Sequence, residues 1–208
     1  MTNTTRQCLV LGLVFLGASV ARPARAQVNP HVEVSAAFAP LLDSTASLAG
    51  LTARPMMSGW NLEVAGSMTT RLSVVFAADG AAGRQPGESA YGVDNMWRDR
   101  SLLGGVRATY RSTGSLAPYW QILAGTFKSD LTYTSSYASS RGSRFTHGDT
   151  DIVVQPGAGL NLMLNQHIGI RLGADVKILP NFDWSDSAAG ASMFRVAVGA
   201  VVPLGRRR

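Results

Sequence analysis

Charge is scarce in this sequence. Asp, Glu, Lys and Arg make up 15% of its 208 residues, where a soluble domain carries roughly 25%. Long apolar runs are missing as well. None reaches the roughly 20 residues that a membrane-spanning helix requires, although 46% of the residues are hydrophobic. Apolar side chains that are not gathered into such a helix suit a chain that spreads them over strands. The 22 glycines point the same way, because glycine weakens helices. Cysteine is all but absent: Cys8 is the single example, which excludes a disulfide framework. Basic residues interleaved with aromatics are also lacking, and with them the pattern of a single-strand nucleic-acid binder. No nucleic-acid partner is expected.

The formal charge of +6 sits at the two ends. Arg6, Arg22 and Arg25 fall within residues 1–26, with no acid among them, so the remainder carries +3, an excess supplied by Arg206, Arg207 and Arg208. Residues 1–26 read as a secretory signal peptide. Arg6 gives a positive start, Leu9 to Val20 an apolar core too short to span a bilayer, and Ala24-Arg25-Ala26 a small-residue cleavage site before Gln27. Cys8 precedes the apolar core rather than closing it, which does not fit a lipid-attachment site. Cleavage would leave residues 27–208 as one exported domain without thiol chemistry.

What the chain does have is alternation. In Ile168 to Ile178, Ile168, Ile170, Leu172, Ala174, Val176 and Ile178 share one parity, and Gly169, Arg171, Gly173, Asp175 and Lys177 the other. Side chains alternate faces along a strand, so one face is apolar and the other carries three charges. Similar alternation predicts strands over 32–38, 60–64, 72–77, 102–111, 119–127, 152–164 and 194–202. Pro156 falls inside one of these, where it suggests a bulge or a strand end. Between them, residues 39–58, 79–99, 128–150 and 180–191 read as long loops, and residues 67–70, 112–118 and 165–167 as short turns.

Long and short connections therefore alternate, which in an up-and-down meander puts every long loop at one end and the turns and termini at the other. The spacing predicts an all-β fold: an eight-stranded antiparallel up-and-down transmembrane β-barrel, with apolar residues outward and charges in the lumen. A soluble periplasmic lipocalin-like binding barrel is the alternative, and it would reverse those faces. The layout of residues 27–208 resembles that of the small eight-stranded outer-membrane proteins of the OmpA and OmpX type. Phe38, Trp60 and Phe194 toward the loop end, and Tyr110 and Trp120 toward the turn end, stand where aromatic girdles would lie. The chain departs from the resembled proteins at its terminus, which runs Pro203-Leu204-Gly205-Arg206-Arg207-Arg208 rather than ending in an aromatic residue. The resemblance implies location in the outer membrane after passage through the periplasm, contact with outer-membrane lipid, and folding by the barrel assembly machinery.

Candidate functional residues fall into two groups. The inward parity collects Glu33, Glu63 and Asp175 with Arg107, Arg171, Lys177 and Arg195, charges that a low-dielectric interior requires to be paired. Asp175 with Arg195 is the expected pair, and Glu63 is expected to reach Arg107 or Arg171. In the resembled proteins a similar set closes the pore and can gate a small conductance, so a narrow ion-conducting channel is the alternative to a plug. The other group lies in residues 128–150, where Tyr133, Tyr137, Arg141 and Arg144 have the composition of a contact surface for an extracellular ligand. Ser143, His147, Asp149 and Asp151 in the same stretch are residue types that some eight-stranded lipid A-modifying enzymes use, but they lack those enzymes' motifs and any fixed metal-ligand spacing. The expected function is a structural or surface-interaction role for a monomer, with no catalysis, no cofactor and no metal.

Overall fold

The computed structural model describes residues 32–43, 56–85, 93–110, 115–135, 143–179 and 191–205. They form β1 (Val32–Phe38), β2 (Leu41–Asp43), β3 (Ser58–Ser67), β4 (Leu72–Gln85), β5 (Val93–Thr109), β6 (Leu116–Ser135), β7 (Ser143–Met163), β8 (Gly169–Leu179) and β9 (Ala191–Leu204). All neighbouring pairs are antiparallel, and β1 closes the sheet on β9. β1 and β2 pair with β9 in one register, Phe38 opposite Val198 and Leu41 opposite Arg195. They make a single stave interrupted at Ala39 and Pro40, where proline has no N–H to give the ladder. The barrel is therefore an eight-strand one.

Its shape follows from the register. Followed in register, the wall leads from Val32 through Gly66, Val74, Val106, Ile122 and Pro156, across to the level of Val176, and on through Phe194 to Leu42, ten residues beyond its start. Eight strands with that stagger tilt by about 40° and enclose a backbone radius of about 8 Å. A bore of this size is filled by side chains.

The short turns are held by local acceptors. Thr69 Oγ1 accepts the N–H groups of Arg71 and Leu72 at 3.2 and 3.0 Å. Asn165 Oδ1 accepts those of His167 and Ile168 at 2.8 and 3.0 Å. Both are side-chain mimics of a backbone turn.

Several sequence expectations need correction. Residues 79–99 and 128–150 are mostly strand rather than loop: β4 runs on to Gln85, β5 starts at Val93, β6 reaches Ser135 and β7 starts at Ser143. Within 39–58, β2 and a bridge between Leu41 and Met57 extend the ordered wall. Pro156 neither ends β7 nor makes a bulge. Pairing with β8 lapses at Gln155 and Pro156 and resumes in the same register, Val154 opposite Ile178 and Gly157 opposite Asp175. Among the described residues β5, β6 and β7 rise above the rest of the barrel, and β7 beyond Val154 pairs with β6 alone.

The two wall faces have opposite chemistry. Leu62, Phe76, Leu102, Ile122, Leu172 and Val198 are exposed on the outside, Phe76 at 65%. Outward apolar residues continue from Ile168 beside a turn up to Ile152 and Ile178, a band on the order of 25 Å tall at this tilt. The lumen holds the buried charges. A soluble barrel has this arrangement inside out, and the lipocalin-like alternative is discarded on that ground.

Candidate functional site

The lumen is arranged in layers. Nearest the turn end, Glu63 on β3 faces Arg107 on β5 and Arg171 on β8, and it is 5% exposed. Glu63 Oε2 accepts from Arg107 Nη2 and, at 2.7 Å, from Arg171 Nη1. Arg171 gives three further donors to Glu33 Oε1 at 2.8 Å, Ser35 Oγ at 2.7 Å and Asn161 Oδ1 at 2.8 Å. Arg107 Nε donates to Gln121 Oε1 at 2.9 Å. Two acids meet two guanidiniums, so the layer is neutral.

Tyr119 lies between those guanidiniums, its ring centroid 4.6 Å from Arg107 and 5.2 Å from Arg171, within cation–π range. Space for the ring comes from glycine. Gly159 on β7 is directly opposite Tyr119, and Gly173 on β8 is directly opposite Gly159. A Cβ on Gly159 would stand 2.5 Å from the Tyr119 Cζ and Oη, and one on Gly173 2.9 Å from that Oη.

The next layer is built on Asp79 of β4. Asp79 Oδ1 accepts from Lys177 Nζ at 2.5 Å, and the same ammonium reaches Ser101 Oγ at 2.6 Å. Arg195 Nη1 stands 2.9 Å from Asp79 Oδ2, off the angle of a hydrogen bond but well within ion-pair distance. Asp175 and Arg195, opposite each other on β8 and β9, join through two-pronged contacts: Nε to Oδ1 at 3.0 Å and Nη2 to Oδ2 at 2.9 Å. This layer is neutral too. Gln155 lies alongside, fully buried, with neither amide atom partnered among the described residues.

Toward the loop end, Leu41, Met57, Phe127, Val153, Leu179 and Met193 pack as an apolar layer. Phe127 also approaches Lys177 Nζ, 5.3 Å from its ring centroid. Above it, Asp99 Oδ1 accepts from Ser129 Oγ at 2.7 Å.

All seven lumen charges singled out in the sequence thus fall in these two layers. The residues that sequence reasoning passed over are Asp79 and Tyr119. Asp79 continues the parity of Val75 and Ala77, and three acids against four bases left one cation without a counter-charge. Those were the available signals.

On the outer wall, Phe38 and Trp60 are cross-strand partners near the loop end, and Phe194 pairs with Leu42 one strand away. Tyr110 is exposed beside the turn that joins β5 and β6, while Trp120 is exposed part-way up the wall, opposite Ala108 and Ala158. Of the contact residues expected in 128–150, Tyr133 and Arg144 are strand residues of β6 and β7, not loop residues, and Tyr137 and Arg141 lie outside the described residues. Ser143, His147, Asp149 and Asp151 follow one another along β7. The Ser143 and His147 backbones are about 13 Å apart there by extended-strand rise.

No family model matches the sequence, and no curated protein does. Solved structures do. Ail of Yersinia pestis, in complex with the heparin analogue sucrose octasulfate, matches with a TM-score of 0.53 at 13% identity, over 82% of this chain and 95% of that one. Neisserial surface protein A matches with a TM-score of 0.55 at 10% identity, over 83% of this chain and 96% of that one. Such identities speak for the fold alone. The closed antiparallel wall, the outward apolar band and these matches agree: the chain has the fold of the small eight-stranded outer-membrane β-barrels.

Proposed function

We propose that the protein is an outer-membrane barrel with a structural or surface-interaction role, whose lumen is a plug rather than a path for ions. The observation that carries this reading is the stacking of two charge-balanced layers beneath an apolar one. In the layers, Glu33, Glu63, Asp79 and Asp175 match Arg107, Arg171, Lys177 and Arg195 one for one. An ion crossing this bore would have to break several buried ion pairs and then shed its water against Leu41, Met57, Phe127, Leu179 and Met193. In this reading residues 1–26 direct export, the assembly machinery inserts the chain as a monomer, and the Phe38, Trp60, Phe194 and Tyr110 side chains anchor the two rims, with Trp120 on the lipid-facing wall between them. Catalysis is no part of it: the extended spacing of Ser143 and His147 along β7 supports that exclusion.

The projecting β5, β6 and β7 favour surface contact as the role, with Tyr133, Tyr137, Arg141 and Arg144 on or between the strands that stand highest. Ail is a precedent for a barrel of this fold seen with a sulfated ligand. The test is conductance of the refolded protein in planar bilayers. Silence is expected at up to 150 mV, and steady single-channel steps would replace the plug with the narrow channel.

A further inference from the structure

At the loop-end edge of the outward apolar band, the wall of β4, β5 and β6 turns basic. Arg84, Arg98, Arg100 and Lys128 are all exposed on its outer face. Arg100 and Lys128 are direct cross-strand partners, as are Arg98 and Asp130. Like charges placed opposite each other on a sheet face repel. Local acids offset little of this. Asp130 stands 3.7 Å from Lys128 Nζ, and among the described residues no carboxylate is within ion-pair distance of Arg98 or Arg100. The lumen neutralises every charge in its two layers, whereas this patch on the same strands leaves a cationic excess facing outward.

Height defines what meets it. By the ladder, Arg100 and Lys128 stand about level with Ile152 and Ile178, the last apolar residues of the band, and Arg98 stands about one residue higher. In a membrane this is the depth of the headgroups at the loop-end face. We propose that Arg98, Arg100 and Lys128 form a binding site for the phosphate groups of anionic lipid in the leaflet at that face. Arginine grips phosphate through a planar fork and lysine as a point charge, and a phosphate between Arg100 and Lys128 turns their repulsion into shared attraction. The site rests on the membrane reading above, and it adds a specific lipid chemistry on one side of the barrel.

The test uses the whole protein refolded into phosphatidylcholine nanodiscs containing a minor fraction of spin-labelled lipid A, either bisphosphorylated or enzymatically dephosphorylated. The motionally restricted fraction of each lipid gives its relative association with the barrel. A preference of about three- to tenfold for the phosphorylated form is expected at low salt, falling at high salt. The R98Q/R100Q/K128Q variant should lose it. An R71Q variant, altered at an exposed residue in the turn between β3 and β4, should keep it. No preference in the native sequence, or an equal preference in the triple variant, overturns the site. Heat-modifiable gel mobility, read on each nanodisc sample, separates the two claims: a barrel that inserts without lipid preference sinks the site alone, and a chain that never inserts sinks the membrane reading and the site together.

Discussion

Glu63→Gln is the substitution that bears hardest on the lumen. Glu63 accepts from both guanidiniums of the lower layer. Its loss leaves Glu33 alone against Arg107 and Arg171, an excess cation in a buried site. Removing one partner of a buried pair typically destabilises by about 3–5 kcal/mol. The glutamine amide oxygen still accepts a hydrogen bond, so the expected loss lies near the lower end, about 3 kcal/mol. Equilibrium urea unfolding of the refolded protein in phosphatidylcholine vesicles, read by tryptophan fluorescence and by gel mobility, gives the value. The double variant E63Q/R107Q makes the measurement discriminating, because it restores charge balance in the layer. Its loss should fall short of the sum of the single losses by about 2 kcal/mol, the coupling expected of side chains in one ionic network. A loss under about 0.5 kcal/mol for Glu63→Gln, or simple additivity in the double variant, would show that solvent or side-chain rearrangement relieves the charge and that the layer is not a sealed one.

Two other substitutions probe the wall and the space around Tyr119. Ile122→Arg puts a cation in the middle of the outward band, where lipid makes it cost about 2–4 kcal/mol; since Ile122 is 46% exposed to begin with, a change under about 0.5 kcal/mol in vesicles would mean that no lipid covers that face. Gly159→Ala drives a methyl into the Tyr119 ring and the Leu172 carbonyl oxygen, with an expected loss of about 1–3 kcal/mol by overpacking. Gly66→Ala, where a Cβ would meet nothing within 4 Å, is the matched control and should be nearly neutral by the same unfolding measurement.

Where the wall divides lipid from lumen, its sequence is easy to read. Ile170 and Leu172 against Arg171 and Gly173 state both faces in four residues, and the strand through Lys177 is plain from its alternation. Above the band the outer face no longer needs apolar residues, and the signal goes with it. Arg84, Arg98, Arg100, Lys128 and Thr150 all point outward from regular strand, yet polar residues on both faces look like loop. Asp79 is hidden for a different reason: it lies within the band, where the glycine- and alanine-rich run from Ala77 to Gly83 masks the alternation. Pro156 misled in the other direction. A proline reads as a break, but the β6 side of β7 stays paired through Ile122, and only the β8 side gives way. The partners of Glu63 lie 44 and 108 residues away in sequence, so parity could gather the candidates but not choose their bonds.

The ionic layers have a structural consequence beyond filling the bore. In a membrane barrel most apolar residues are committed to the outside, and apart from the buried cluster around Phe127 and Met193 much of the contact between strands across the lumen falls to polar groups. Arg171 of β8 reaches β1, β3 and β7 through Glu33, Ser35, Glu63 and Asn161. Asp79 of β4 reaches β8 and β9 through Lys177 and Arg195. A one-residue slip of any strand exchanges its two faces. For β8 it would turn Arg171, Asp175 and Lys177 into the lipid and Ile170, Leu172 and Val176 into the lumen, breaking their ion pairs and placing each charge where the bilayer penalises it. A register error in a soluble sheet loses hydrophobic burial; here it also strands charge in hydrocarbon. The buried ions contribute modestly to stability once desolvation is counted, and their larger effect is to leave the chain a single way to close its barrel.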